Sequence, residues 1–185
     1  MKKLCRFIIL FLILVLAYIS FKPIMKFIFP LKYKNIVIKY SEEYSGEDDV
    51  DPLFIMSIIK AESNFDKDAK SNKGALGLMQ VTPSTGEWIA EKLNEEMFAE
   101  DKLFDPDTNI KYGIWYINYL SKQFDGNLNL IIAAYNAGPG SVDKWLNDSS
   151  YSQNGEELDN IPFVETDKYV EKVNFYYNIY KFLYR

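Results

Sequence analysis

A mainly α-helical domain behind a single apolar N-terminal helix is the fold class that this sequence predicts, and three observations predict it. Residues 7–21 form an unbroken apolar or weakly polar run directly after Lys2, Lys3 and Arg6. Beyond that run, apolar residues recur at intervals of three and four, the period of one helix face. No stretch shows the strict apolar–polar alternation of a half-buried strand.

The N-terminal run is apolar on every face, which argues against a helix buried in a soluble fold. It is shorter than the roughly 20 residues that cross a bilayer. It spans more comfortably if the helix continues toward Phe29 and Lys22 and Lys26 snorkel to the far interface. A cleaved signal peptide would need a small-residue cleavage site, and none follows the run. Cys5 stands before the run, on the wrong side for a lipoprotein-type attachment. The segment therefore reads as an uncleaved signal anchor over residues 1–30. The basic cluster before it favours an inside N-terminus and a single-pass protein whose remainder lies on the extracytoplasmic face. Residues 31–50 lose periodicity and turn acidic, with Glu42, Glu43, Glu47, Asp48 and Asp49 around Gly46. They read as a linker or irregular lead-in to a domain over residues 51–185.

Within that domain three helix starts share one device. Asp51-Pro52, Thr82-Pro83 and Asp105-Pro106 each combine a side chain that accepts from the first turn with a proline whose φ is already helical. The first helix carries Leu53, Phe54, Ile55, Ile58 and Ile59, and its spacing puts Glu62 on the Ile55–Ile58–Ile59 face. A carboxylate continuing an apolar stripe is anomalous. Asn64 to Gly77 read as loop, with Gly74 and Gly77 at tight turns. The second helix carries Trp88, Ile89 and Leu93, and the third Ile110, Ile114, Ile117, Leu120 and Phe124. Leu128 to Tyr135 form a short helix stopped by Gly138-Pro139-Gly140, and Val142 and Trp145 mark another. A polar loop runs over residues 146–160. The last helix starts near Thr166 and buries Tyr169, Val173, Tyr176 and Tyr180.

Composition narrows the chemistry. The chain has 185 residues with 48% apolar content, 14 Tyr and 13 Phe, enough to fill one core. It has no histidine and one cysteine. The common zinc-ligand sets, Cys-His pairs, His-based triads and disulfide frameworks are therefore excluded, and neither a metal nor a cofactor is expected. Residues 1–41 carry eight basic and no acidic side chains, leaving 13 basic against 26 acidic in the remainder. So acidic a domain is a poor partner for nucleic acid. It remains suited to a polymer recognised through hydroxyls and amides.

Four blocks then stand out: Ala61-Glu62-Ser63-Asn64-Phe65; Gly74-Ala75-Leu76-Gly77-Leu78-Met79-Gln80-Val81-Thr82-Pro83-Ser84-Thr85; Ala133-Ala134-Tyr135-Asn136-Ala137-Gly138-Pro139-Gly140; and Ile161-Pro162-Phe163-Val164-Glu165-Thr166-Asp167-Lys168-Tyr169-Val170. In content, order and spacing they resemble the lysozyme-like catalytic domain of Slt-type lytic transglycosylases, relatives of goose lysozyme. The resemblance covers roughly residues 51–183. It implies a lysozyme-like helical fold, peptidoglycan glycan strands as substrate, and Glu62 as catalytic acid and then base. Independently of the resemblance, a carboxyl can protonate a leaving oxygen near neutral pH only if its surroundings raise its pKa. Glu62, closing an apolar stripe, is placed for that.

By matching position, Tyr169 resembles the tyrosine that bonds the catalytic carboxylate or positions the substrate acetamido group; the alternative is a core aromatic. Ser71 and Gln80 resemble residues lining sugar subsites, with turn-stabilising polar groups as the alternative. Asn136 would bring an amide to the glycan or cap its helix, and Tyr135 would wall the cleft. Gly77, Gly138 and Gly140 would allow close backbone approach. Met79 reads as packing and Glu165 as a structural carboxylate at a helix start.

The resemblance implies cleavage between N-acetylmuramic acid and N-acetylglucosamine without water, leaving a 1,6-anhydro end. Ordinary glycosidases use a second carboxylate, and the nearest acids in sequence, Asp66 and Asp68, show no sign of that role. The rivals are a hydrolytic muramidase of goose-lysozyme type and a non-catalytic wall-binding protein on the same fold. Service within a cell-envelope or secretion apparatus would change the partner and leave the chemistry as it is.

Overall fold

The helix α1, Lys2–Ile28, is the longest element of the chain. The computed structural model describes residues 2–44 and 50–185, so the acidic residues Glu47, Asp48 and Asp49 lie outside it. From Ile9 to Ile28 the helix is apolar enough to cross a membrane, and none of it is buried. Its described apolar side chains are exposed around the whole circumference, from Phe11 and Leu12 to Leu14 and Leu16. A uniformly apolar helix has no preferred face to turn toward a soluble core.

The stretch expected as a tether or irregular lead-in contains a helix, α2, Lys34–Glu43. Its Val37 and Tyr40 are buried, and it packs on α3 and α5. Lysines and glutamates on its outer side masked an apolar face only one residue wide per turn, so the periodicity was too sparse to read. Tyr40 also donates a short hydrogen bond to Asp107 at the start of α5.

The remaining elements follow the expected starts: α3 Pro52–Glu62, α4 Pro83–Lys92, α5 Pro106–Gln123, α6 Leu128–Ala137, α7 Pro139–Leu146 and α8 Val164–Tyr184, with a 3-10 turn Glu100–Phe104 before α5. Asp51 accepts from Leu53 N, Thr82 from Thr85 N and Asp105 from Thr108 N, so all three predicted caps are made. Each such cap stabilises its helix by about 1 kcal/mol. Among the described residues there is no β-strand. Two isolated bridges, Lys70 with Leu76 and Leu76 with Val81, tie the loop after α3 to itself.

The core is centred on α3. Ile55, Ile58 and Ile59 are completely buried, and α8, the element most extensively packed on α3, contributes Val173, Tyr177 and Tyr180. From α5 come Ile110, Ile114, Ile117 and Leu120, and from α6 Ile131 and Ile132. Each buried aliphatic side chain is worth roughly 1.5–3 kcal/mol of transfer free energy. Along α8 the buried residue is Tyr177, and Tyr176, expected inside, is only partly covered. Both tyrosines fit a helical period, so spacing alone could not choose between them. The 146–160 loop returns against the domain through buried Ser152.

Candidate active site

Glu62 is the last residue of α3, where the buried isoleucine stripe reaches the surface. The next residues turn sharply, with Asn64 (φ 52°) and Phe65 (φ 65°) in the left-handed region. Non-glycine residues adopt that region at a cost and cluster at functional sites. Buried Phe65 and a bond from the Lys60 ammonium to Asn64 Oδ1 (2.5 Å) hold the turn.

The chain then crosses the site as the loop Leu76–Gln80, and three side chains fix its carbonyls and amides. Asn109, completely buried on α5, donates to Leu76 O (2.9 Å) and Leu103 O (2.7 Å) and accepts from Met79 N (2.7 Å). Ser63 donates to Leu78 O (2.8 Å), and Tyr135 to Met79 O (2.7 Å). Gly77 (φ 73°) is required there, because a Cβ would collide with the Leu103 carbonyl and the Asn109 side chain. Met79 is fully buried against Gly113, as packing.

The hydroxyl of Tyr169, on α8, donates to Glu62 Oε1 at 2.6 Å. Burial pushes the Glu62 carboxyl up to about 7, and the Tyr169 hydrogen bond and the Lys172 charge pull the other way. Desolvation thus wins over both stabilisers of the ionised form. Lys172 is held close by donating to Ala61 O (2.6 Å). The Tyr169 and Tyr135 phenols are pushed well up, first by burial and then by the Glu62 charge. Both therefore remain protonated donors beside Glu62.

Glu62, Tyr169, Lys172, Glu165 and Asn136 line a cavity of about 350 Å³. Asn136 also lines a second cavity of about 260 Å³ with Gln80, Tyr135, Tyr116 and Gly138. Thr166 donates to Asn136 Oδ1 (2.8 Å), a bond that leaves the amide N–H₂ unused. A third depression, of about 300 Å³, adjoins the second through Thr85 and Tyr116 and is walled by Trp88 and Tyr119. Trp88 meets Trp115 and Tyr119 edge-on at 5.3 and 5.1 Å. Together they describe a groove with a carboxyl at one end and aromatic faces at the other.

Of the residues singled out in the sequence, Glu62, Tyr169, Tyr135, Asn136 and Gln80 are brought together along this groove. Gln80 sits at φ 51°, and its amide donates to Gly77 O (2.9 Å) and Ala69 O (3.2 Å), so it braces the loop as well as lining the cavity. Ser71 lines none of these cavities; its hydroxyl accepts from Ala75 N (2.9 Å) and closes the 71–75 turn. Gly138 takes φ 84° where α6 gives way to α7, and at both it and Gly140 a Cβ would stand in open space, clear of all but the adjoining backbone. Glu165 does stand in the first turn of α8, but it also lines the Glu62 cavity and pairs with Lys73 at 2.9 Å. Asp66 and Asp68 are exposed; Asp66 accepts from the Asp68 amide and Asp68 pairs with Lys67. Lys172 and Asn109 escaped sequence reading, and Ser63 entered it only as a member of the first block, with no role. Of the first two, only Asn109 carried a signal, a polar residue on the buried face of an otherwise apolar helical pattern.

A sequence profile of the transglycosylase SLT domain matches residues 39–158. This chain belongs to that family. The chain is 35% identical over 156 residues to the soluble lytic murein transglycosylase of Escherichia coli, covering 83% of this chain and 24% of the relative. It is 31% identical to the membrane-bound lytic murein transglycosylase C of Sodalis glossinidius, over 77% of this chain and 45% of that protein. The crystal structure of the 70 kDa soluble lytic transglycosylase of Escherichia coli superposes with a TM-score of 0.74 and 32% identity, covering 85% of this chain and 25% of that one. The chain thus spans about a quarter of the soluble relatives and under half of the membrane-bound one. The profile match begins inside α2 and includes three of the four sequence blocks; Glu165 and Tyr169 follow its end.

Proposed function

We propose that this SLT domain is a peptidoglycan lytic transglycosylase, a carbon–oxygen lyase that cleaves the bond between N-acetylmuramic acid and N-acetylglucosamine and leaves a 1,6-anhydro end. The observation that carries the reading is Glu62 at the end of a buried stripe, raised to about 7 and bonded to Tyr169. At neutral pH such a carboxyl is protonated often enough to donate and ionised often enough to accept. Glu62 gives its proton to the bridging oxygen as the muramyl C1–O bond breaks. The sugar's own 2-acetamido group stabilises the positive charge at C1. The Glu62 carboxylate then takes the proton from the 6-hydroxyl as that oxygen bonds to C1, which restores the acid and consumes no water. Tyr169 holds the carboxyl in position through both steps, and the amides of Asn136 and Gln80 line the path of the strand. Replacing Glu62 with Gln is expected to abolish cleavage of purified peptidoglycan while glycan binding persists; a variant as active as the parent overturns the assignment.

A hydrolytic muramidase is the second reading, and one observation favours it: Glu165 supplies a second carboxylate to the same cavity. Inverting hydrolases need such a group as base. Both oxygens of Glu165 lie 2.9 Å from the Lys73 ammonium, and the side chain is largely exposed, an environment that leaves it an ordinary ion pair.

The proposal extends to location. Residues 1–30 hold the protein in the membrane as a single-pass anchor, and the catalytic unit, from α2 onward, works on the extracytoplasmic face, where peptidoglycan is. The exposed apolar α1 and the membrane-bound relative support this. Protease added to wall-stripped cells is expected to remove the Glu62-bearing domain; a protected domain would place it inside.

A further inference from the structure

The junction between α1 and the rest of the chain is closed by side chains. At the C-terminus of a helix the last carbonyls lack intrahelical partners. Here the carbonyl of Ile28, the last residue of α1, and those of Phe29 and Pro30 just beyond it are taken by distant residues: Lys60 donates to Ile28 O (2.8 Å), Tyr184 to Phe29 O (2.7 Å) and Tyr180 to Pro30 O (3.1 Å). Phe29 is buried edge-on between Tyr176 and Tyr180, with ring centroids 5.4 and 5.6 Å away. The apolar helix therefore runs into the core of the domain with no free linker between them.

The tip of α8 lies beside the last turns of α1. Phe182 meets Phe21 at 6.4 Å, Lys22 stands over the Phe182 ring at 5.6 Å and Lys26 over Tyr184 at 5.2 Å. The two lysines that sequence placed as snorkelling cations are thus engaged with α8. Phe182 and Phe175 nevertheless remain 59% and 61% exposed. Seven residues apart, they share one face of α8 over two turns. Aromatic rings flanked by cations are the composition of a membrane–water interface.

We infer that the C-terminal half of α8, with exposed Phe175 and Phe182 and the neighbouring Lys22, Lys26 and Lys181, is a second membrane contact that seats the domain directly on the lipid interface. This rests on the reading of α1 as an anchor, because the seat continues its apolar surface. Lys60, which touches the end of α1, precedes Glu62 by two residues, so the catalytic carboxyl belongs to the end of α3 that adjoins the anchor.

The test uses the full chain in vesicles of zwitterionic and anionic phospholipid, with Cys5→Ser and one nitroxide-labelled cysteine at a time: Phe182→Cys, Phe175→Cys, or Ser149→Cys on the exposed 146–160 loop. Labels at 175 and 182 are expected to collide with dissolved oxygen several-fold more, relative to a water-soluble nickel chelate, than the label at 149. Equal ratios at all three positions, in protein that still floats with the vesicles, overturn the seat and leave the anchor standing. Protein that fails to float overturns the anchor itself. A label at 182 shielded from both reagents means that another protein surface covers the patch, which also overturns the proposal. Retained cleavage of peptidoglycan by each variant checks that it is folded.

Discussion

The hydroxyl of Tyr169 donates to Oε1 of Glu62 at 2.6 Å across 107 positions of sequence, joining the end of α3 to the first turns of α8. The bond favours the ionised carboxylate, so its loss must raise the Glu62 pKa beyond about 7. Hydrogen bonds to charged groups are worth about 1.5–3 kcal/mol, which corresponds to one pH unit or more. In Tyr169→Phe the alkaline limb of the activity profile is expected to move upward by about that much, with a lower kcat from the less constrained carboxyl. A purely packing role for the ring would leave the limb where it was.

Glu62 should also cost stability in a pH-dependent way. Its folded pKa, about 7, lies above the ordinary 4.5. Between these values the folded chain keeps a proton that the unfolded chain has lost, so stability falls as pH rises from 4.5 to 7 and stays lower above. The accumulated penalty is about 3 kcal/mol. Glu62→Gln, which keeps the shape, is expected to be more stable than the parent at pH 8 and to converge with it below pH 4.5. Urea denaturation at several pH values reads this, and a constant difference would contradict the raised pKa.

Asn109 satisfies two buried carbonyls and one buried amide around the Leu76–Gln80 loop. Asn109→Leu keeps the volume and strands Leu103 O and Met79 N, at about 1–3 kcal/mol each, while Leu76 O keeps its bond from Val81 N. A loss of about 2 kcal/mol or more in urea unfolding is expected, together with weaker glycan binding as Gln80 loses its support. An unchanged midpoint would mean that the loop is held otherwise.

Glu165→Gln separates the two chemistries proposed for the site. It breaks an exposed ion pair with Lys73, which is worth under about 1 kcal/mol. The transglycosylase reading expects cleavage to continue, whereas in a hydrolase that uses Glu165 as base the rate would collapse. Turnover of isolated glycan strands decides between them.

Much of this was legible in the residues. The Asp-Pro and Thr-Pro starts named α3, α4 and α5, because capping is local chemistry that needs no tertiary partner. Glu62 was legible as a carboxylate breaking an apolar stripe, and the four blocks identified the family. The sequence could not show α2, whose buried face is Val37, Tyr40 and Ser41, or choose Tyr177 over Tyr176 along α8. Nor could it show that Ser71 spends its hydroxyl on Ala75, or that Lys172 stands beside Glu62. These depend on how helices far apart in sequence meet, and neither period nor composition records that.

The central claim is that Glu62 cuts glycan without water, and mass spectrometry of the products formed from purified peptidoglycan tests it most directly. The account predicts muramic acid ends in the 1,6-anhydro form, lighter by one water than a reducing end, made by the parent and absent with Glu62→Gln. Reducing-end muramic acid as the product would contradict it.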